Sequence, residues 1–571
     1  MPGTEQAHHK FEKLIQESFL FQQEQRKRAD RAHDFHDSVQ WTVAEAQTIE
    51  ARNQAPSVIN IILPTINAIA SVESQRRTDY RTLPKEILGG DDVSSILTSA
   101  GAQIFNENQF NFFLSKGFRG GLITGISWFE IFPEIDLDTN EAVIKIALRK
   151  WEEFFYDQHA SRPDLEDARW KSREVWMDLD EAIELYGKDK GNRLLHMFNT
   201  FNTLDAFHGQ EDEAQMHTHS FVNKKERRIA IHSMYYRNQK KEIRYVVFSG
   251  PVFLPWFDSS GNPVETSLDG ENPSPYDFNF MPYVPYVAGF DKKGRPLGIV
   301  EHLISIQQSI NKAQSKQQWL MAAKRCIHET NTFVDSELAR DEWSKPDGWI
   351  EVNEGALREG KLREDDNIPE SNVILGWLSF LVTMVQRISG VSDAVQGIGG
   401  VNARSALQED RRIAQGSGMQ TPYIEGLYFT KLRIYKIVML MIGQFYTGRR
   451  VFRLMGADGQ PSFRVLNGTG EDGKPFNNIV DILRYDVDVV EEPVVLSSNQ
   501  LYLNALTELS KVYPSLIPSL IVPILQNIPN LKDRDKIVSD VRAIFQLDQQ
   551  RNRDNGNREI VSNAVALSGT N

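Results

Sequence analysis

Cysteine occurs once in the 571 residues, at Cys326, which excludes an intrachain disulfide and any zinc or iron–sulfur site built on paired thiolates. The expected compartment is a reducing cytosol. Long hydrophobic runs are also missing: the longest, Val373 to Val385, has 13 residues, short of the ~18 needed to read a membrane span. With a mean hydropathy of −0.41, a soluble protein with no membrane partner is expected. The N-terminus, MPGTEQAHHKFEKLIQESF, carries charge where a secretory signal needs an apolar stretch, so no export is expected. Positive charge is in deficit, with 64 Lys and Arg against 77 Asp and Glu and a net charge of −13. A net-basic nucleic-acid binder is excluded, and any grip on a polyanion must come from local basic patches.

Catalytic patterns are missing too. The glycine cluster GIGGVNARS (Gly397 to Ser405) lacks the Lys-Ser/Thr end of a phosphate loop, and a helix rather than a strand precedes it, so neither nucleotide fingerprint fits. His8 with His9 and His217 with His219 have no third ligand at a metal-site spacing. Asp157, Asp164 and Asp167 follow no calcium-loop register and read as turn and cap formers. GISWF (Gly125 to Phe129) lacks the second glycine of a nucleophile elbow. The expectation is no enzyme, no cofactor and no metal.

What is present is ordinary globular composition: 40% hydrophobic, 25% charged and 10% aromatic residues, on a length that suggests about four structural units. Phe11, Leu14, Ile15, Phe19 and Phe21 mark an amphipathic first helix. SVINIILPTINAIA (57–70) reads as a second helix with Pro64 near its middle, and 93–122 as another, broken by Gly120, Gly121 and Gly125. Strand-like stretches follow at 126–135 and 143–157, then a short helix with Asp178 as N-cap and Gly187 as C-cap, an exposed His-rich loop (205–225), and a hairpin over 228–257.

The longest clear helical pattern runs from Leu297 to about Lys324, and a second helix, Ser371 to Ser389, is apolar on nearly every side, so other protein should enclose it. Between them, 326–369 reads as a small β-rich insertion. A Gly-rich loop follows, then a helix over about 405–446 bent at Gly416, Gly418 and Pro422, two β stretches and a closing strand near 485–495. Residues 499–545 read as helical, and 547–571 as a polar tail expected to be disordered. Basic residues decorate the helices and the loop's end: Lys312, Lys316, Lys324, Arg325, Arg404, Arg411 and Arg412. A solvated face explains them, and contact with a polyanion is the alternative.

The order of four stretches resembles the portal (head-to-tail connector) proteins of tailed phages, nearest to those of short-tailed phages of the Salmonella-phage type. They are SVINIILPTINAIASVESQRRTDYRTLP (57–84), WEEFFYDQHASRPDLEDARWKSREVWMDLDEAIELYG (151–187), MPYVPYVAGFDKKGRPLGIVEHLISIQQSINKAQSK (281–316) and VSDAVQGIGGVNARSALQEDRR (391–412). The resemblance implies an α+β portal fold in a ring oligomer: wing (1–296), stem helix (297–324), β-rich clip (325–369), return stem helix (370–390), tunnel loop (391–404), wing again (405–498), helical crown (499–546) and the tail (547–571). A long C-terminal helical barrel should be absent or very short.

It also implies a channel at one capsid vertex for packaging and ejecting viral DNA. The partners would be other copies of the chain, twelve to a ring, sequence-independent double-stranded DNA, the terminase large subunit, major capsid and scaffolding proteins, and tail adaptors. Assembly is expected in the bacterial host cytoplasm, and the final location is the virion. Net negative charge with a few basic rings suits a channel that must let DNA slide. The expected DNA contacts are Asn402, Arg404, Lys312 and Lys316. Trp377, Leu381 and Val385 are expected at the subunit interface, and Trp343, Arg358, Lys361 and Arg363 at the clip's docking face. The alternative is another virion structural protein or tail adaptor without a channel; a hidden nuclease or ATPase would need a carboxylate cluster or Walker sequence.

Overall fold

The structure, a computed structural model, describes residues 2–52, 54–75, 79–84, 91–136, 141–200, 220–258, 262–266, 272–322, 325–343, 345, 347–365, 368–391, 418–448, 450–455, 461–469, 475–476 and 485–490. The expected crown and tail, the tunnel loop beyond Val391 and most of the His-rich loop lie outside these residues. The chain forms two compact units, Met1–Ser71 with Glu107–Ile437, and Val72–Asn106 with Val438–Asn571.

The chain opens with α1 (Pro2–His36), followed by α2 (Val43–Glu50), which starts with a capping box between Thr42 and Glu45. Residues 54–61 are extended, and α3 (Ile62–Gln75) begins only after them. Pro64 therefore falls in the first turn of a later helix, where its missing N–H is not needed, rather than in the middle of an earlier one. Then come β1 (Asp79–Pro84), α4 (Asp91–Glu107) and α5 (Phe110–Thr124).

The single helix expected over 93–122 is thus two, and Gly120 and Gly121 lie inside α5 without breaking it. Gly121 is small because a Cβ there would come within 2.4 Å of the Tyr286 ring. Gly125 ends the helix in a left-handed conformation, φ 93°.

Strands β2 (Ile126–Ile135), β3 (Ala142–Arg149), β4 (Phe154–Tyr156) and β5 (Trp170–Asp178) lead into α6 (Leu179–Thr200). Gly187, at φ 78° and ψ 172°, breaks this span into two helices, so the first of them ends where the sequence places its C-cap. Asp178 pairs with Arg228 at 2.9 Å. Next are β6 (Val222–Asn223), β7 (Arg228–Arg237), β8 (Ile243–Ser249), β9 (Val252–Leu254), the short pair β10 (Trp256–Phe257) and β11 (Pro263–Val264), and β12 (Tyr283–Val287).

The first unit holds a six-stranded antiparallel sheet, ordered β4-β5-β7-β8-β9 with β6 beside β7, and a three-stranded sheet, β12-β2-β3. Alternation along the larger sheet assigns its faces. Ala230, Met234, Val246 and Phe248 meet Phe11 and Ile15 of α1, whereas Ile229, Ile231 and Val247 meet Leu179, Ala182, Leu194 and Met197 of α6. Aromatic rings join the two sheets: Trp128 stacks on Phe154 at 4.5 Å, and Tyr283 stands edge-on to Phe154 and Tyr235. Lys171 is buried among them, where desolvation lowers its amine to about 8, and its Nζ donates to the Tyr283 carbonyl at 3.1 Å.

The remaining helices of the first unit are α7 (Ile299–Ala322), α8 (Ser336–Trp343) and α9 (Ile368–Ser389), with β13 (Arg325–His328) and β14 (Leu362–Asp365) between α7 and α9. Helix α10 (Thr421–Phe445) follows, with Pro422 in its first turn rather than at a bend. Of the expected long helix, 405–417 lies outside the described residues.

In the second unit β15 (Arg450–Met455) and β16 (Pro461–Leu466) form a hairpin. β17 (Gly468–Thr469) pairs with β18 (Pro475–Phe476), and β19 (Tyr485–Val490) pairs antiparallel with β1. Thr82 N–H donates to Thr98 Oγ1 at 3.0 Å, which ties α4 to β1.

Candidate functional site

Two long helices joined by an insertion form the feature with the most unusual surface. Strands β13 and β14 pair antiparallel, Arg325 opposite Asp365, so α7 and α9 run back alongside each other. Where the insertion begins, Gln317 Nε2 donates to Ser371 Oγ at 2.5 Å. Leu381, Val385 and Ser389, at i, i+4 and i+8, are buried. Val373, Trp377 and Phe380 form a second stripe that is 73%, 49% and 49% exposed, and the Trp377 and Phe380 rings stack at 5.3 Å.

Leu381 and Val385 are therefore core residues of their own chain and do not offer side chains to a neighbour. Of the three expected interface residues only Trp377 is exposed. The stretch Ser371–Ser389 has a mean hydropathy of 1.3 and is by length and composition apolar enough to cross a membrane, which the 13-residue uninterrupted run does not reveal. Only 11% of it is buried, so α9 is not an ordinary core helix.

The opposite flank of α7 is polar and dry. Gln307, Asn311 and Ser315, one turn apart and each 1% exposed, hold the extended strap 57–61. Ile61 N–H donates to Gln307 Oε1 at 3.1 Å, Gln307 Nε2 to the Ile59 carbonyl at 2.6 Å, Ile59 N–H to Asn311 Oδ1 at 3.2 Å and Ser57 N–H to Ser315 Oγ at 3.0 Å. Asn311 Nδ2 in turn donates to Gln40 Oε1 at 2.6 Å. These side chains stand in for a neighbouring strand and satisfy backbone groups that burial would otherwise strand. Nothing local in the sequence marks the strap as their partner.

Lys312 and Lys316 are exposed on α7, and Lys312 Nζ lies 4.0 Å from Glu45 Oε1 on α2. Asn402 and Arg404 lie outside the described residues.

The insertion has a small core of its own, and it is less β-rich than expected, because α8 and turns fill most of it. Phe333 pairs with Val352 in an isolated bridge and meets His328 and Trp343 edge-on; Ala339 and Ala356 are buried nearby. Asn353 Nδ2 donates to the Asn331 and Phe333 carbonyls at 2.7 and 3.2 Å.

Trp343 is thus half-buried against Phe333, so its ring is committed inward and is not a free docking residue. Arg358 and Arg363 are exposed, and Lys361 pairs with Glu359. The apolar groups that face outward are others: Trp349 at 88% exposure, Leu357, Val334, Leu338 and Ile327. Composition could have flagged Trp349, whose neighbours are Gly348 and Ile350.

A third grouping has catalytic-looking chemistry. Ser172 Oγ lies 3.4 Å from His232 Nδ1, and His232 Nε2 lies 3.4 Å from Glu174 Oε2. Desolvation lifts the Glu174 carboxyl to about 7, opposed by the charge of Arg26. Yet Ser172 and His232 are wholly buried, and the imidazole is enclosed by Phe155, Phe221 and Phe248. A nucleophile needs contact with its substrate, and this serine has no surface to offer one. The group is a polar knot inside the sheet packing. Among the described residues no three His, Cys, Asp or Glu side chains are placed to hold a metal ion.

A family model described as phage P22-like portal protein matches residues 12–267 and 264–564 of the chain. No curated protein matches it.

Proposed function

The chain belongs to the phage P22-like portal protein family, and from that premise we propose how this portal is built and which of its surfaces do the work. As a member of that family it is a structural component of the virion, a head-to-tail connector at the capsid vertex that serves viral DNA packaging.

We assign 297–324 and 370–390 to a stem, 325–369 to a clip and 391–404 to a tunnel loop. The flanking segments, 1–296 and 405–498, form the wing, 499–546 the crown, and 547–571 a polar tail. Twelve copies close the ring, which resembles the portals of short-tailed phages of the Salmonella-phage type. The terminase large subunit and later the tail adaptors dock on the clip, while scaffolding and major capsid proteins meet the wing. DNA passes Asn402, Arg404 and Lys316 and touches them through phosphates, without base readout. Assembly takes place in the host cytoplasm.

One observation carries the ring reading: α9 leaves Val373, Trp377 and Phe380 uncovered along one stripe, on a helix with no charged side chain from Ser371 to Gln386. Such a stripe in a protein of this family is buried by the next copy. Negative-stain microscopy of the purified full chain should show closed rings with a central hole. A monodisperse monomer at micromolar concentration and neutral pH would overturn the reading.

A further inference from the structure

In a closed ring each copy presents two different surfaces, one to either neighbour, and the stem region carries two candidates on opposite flanks of α7. Gln317, which bonds Ser371 of α9, lies about 120° round the helix from Asn311, which bonds the strap; Lys312, beside Glu45 of α2, lies about 100° round the other way. Helix α9 therefore stands on one flank, and α2 with the strap on the other.

What packs on each flank presents exposed apolar side chains on its outer surface. Opposite the α9 stripe, Val39 and Val43 are 62% and 75% exposed, and Ile59 and Leu63 are 42% and 39% exposed. Asn60 Nδ2 donates to the His36 carbonyl at 2.8 Å and to Ser38 Oγ at 2.9 Å, which holds the strap beside the turn that carries Val39. The sequence from Pro56 to Val72 contains no charged residue, as 371–386 does not. The strap and the α9 stripe can meet without burying an unpaired ion, and Glu45 of α2 has Lys312 4.0 Å away.

The two patches also stand at the same height. Ser371 is level with Gln317, and α9 runs opposite to α7 at an equal rise. Trp377, six residues on, is therefore level with about residue 311, which is where Asn311 holds Ile59; Phe380 comes level with about residue 308, beside the Gln307 that holds Ile61. With α7 set along the ring axis, rotation about that axis displaces nothing along it. A neighbour covering α9 side by side must bring a surface of matching height.

We propose that the α9 stripe of one copy, Val373, Trp377 and Phe380, is covered by the neighbouring copy's strap and α2, through Val39, Val43, Ile59 and Leu63. This rests on the ring reading above and names the two halves of its interface.

In a Cys326→Ser background, Val373→Cys and Val43→Cys together, treated with a short bismaleimide, should give a ladder of covalent multimers extending past the dimer. Either cysteine alone should give none of the higher species. Rings without the ladder overturn this inference and leave the ring reading standing; absence of rings from the parent chain overturns both. Should the cysteine pair itself prevent assembly, single-charge variants decide. Ile59→Asp should raise the concentration needed for ring formation about tenfold or more, while Phe112→Asp, at a site 64% exposed on α5, should not. Parent-like assembly of Ile59→Asp overturns the inference.

Discussion

The hydroxyl of Ser18 bonds both backbone groups of Tyr156: it donates to the Tyr156 carbonyl at 2.8 Å and accepts from the Tyr156 N–H at 3.3 Å. Tyr156 lies on β4, the edge strand of the six-stranded sheet, and Arg26 of the same helix donates to the Phe154 carbonyl at 3.2 Å. Side chains of α1 thus occupy an edge that would otherwise be open to another strand. Ser18→Ala leaves a buried donor and a buried acceptor unmet and should destabilise the first unit by about 2 kcal/mol. A melting temperature indistinguishable from the parent's would show that water or a shift of α1 replaces the hydroxyl.

The Asp157 carboxylate, 3% exposed, gives a signed pH dependence. Burial works to raise its pKa, but bonds from Arg169 Nε at 2.6 Å and Nη2 at 3.0 Å, with the backbone N–H groups of His159 and Arg169, hold it at about 2, below the ordinary 3.8. A depressed acid stabilises the fold above its unfolded pKa, and that contribution is lost as pH falls through about 2. Because the Arg169 side chain is 63% exposed, screening reduces its worth to about 1–2 kcal/mol. Asp157→Asn should therefore melt earlier than the parent at pH 7, and the difference should shrink below pH 4. An equal difference at pH 7 and pH 2 would assign the effect to packing.

Trp377 and Leu381, one turn apart on α9, should fail in different ways. Leu381→Ala opens a cavity inside the chain and should destabilise the fold by about 3 kcal/mol. Trp377→Asp puts a charge into the proposed interface, so the chain should keep its fold by circular dichroism yet not form rings. Normal rings from Trp377→Asp would remove this residue from the interface.

The contrast also shows what sequence can and cannot reveal. Helices α7 and α9 and the break between them were legible because apolar spacing and a change of composition are local signals. The phase of α9 was not: a helix apolar on every side gives no indication that Leu381 faces α7 while Trp377 faces out. No local signal marks Gln307, Asn311 and Ser315 as holding the strap, because their partners lie some 250 residues earlier in the chain. Pro64 misled for a related reason, since the strap before α3 is held by those distant amides rather than by its own helical pattern. Ser172, His232 and Glu174 are joined only by the register of β5 and β7.

For DNA contact, Arg404→Glu should leave ring assembly intact and impair packaging or retention to the same degree for unrelated DNA sequences, since phosphate contacts carry no base information. Lys316→Glu, on an exposed position of α7, should add to the defect. A full-length genome packaged and retained by the double variant would make the loop a hinge between helices and nothing more.

Two tryptophans of the insertion should respond differently to truncation. Trp343 closes α8 against Phe333, with ring centres 6.4 Å apart, whereas Trp349 stands 88% exposed with its backbone N–H bonded to Glu342 Oε2 at 3.2 Å. The bond fixes where Trp349 leaves the chain without covering its ring. An exposed indole held by an ordered backbone is a low-entropy anchor for a partner's pocket. Trp343→Ala should loosen the insertion by about 2 kcal/mol and make it the first segment cut by limited proteolysis. Trp349→Ala should leave the proteolysis pattern and the rings unchanged, yet weaken binding of the terminase large subunit to assembled rings about tenfold or more. If Trp349→Ala rings bind terminase and package DNA as the parent does, docking on this insertion falls to its exposed basic residues, Arg358 and Arg363, and charge-reversal variants there should show the loss instead.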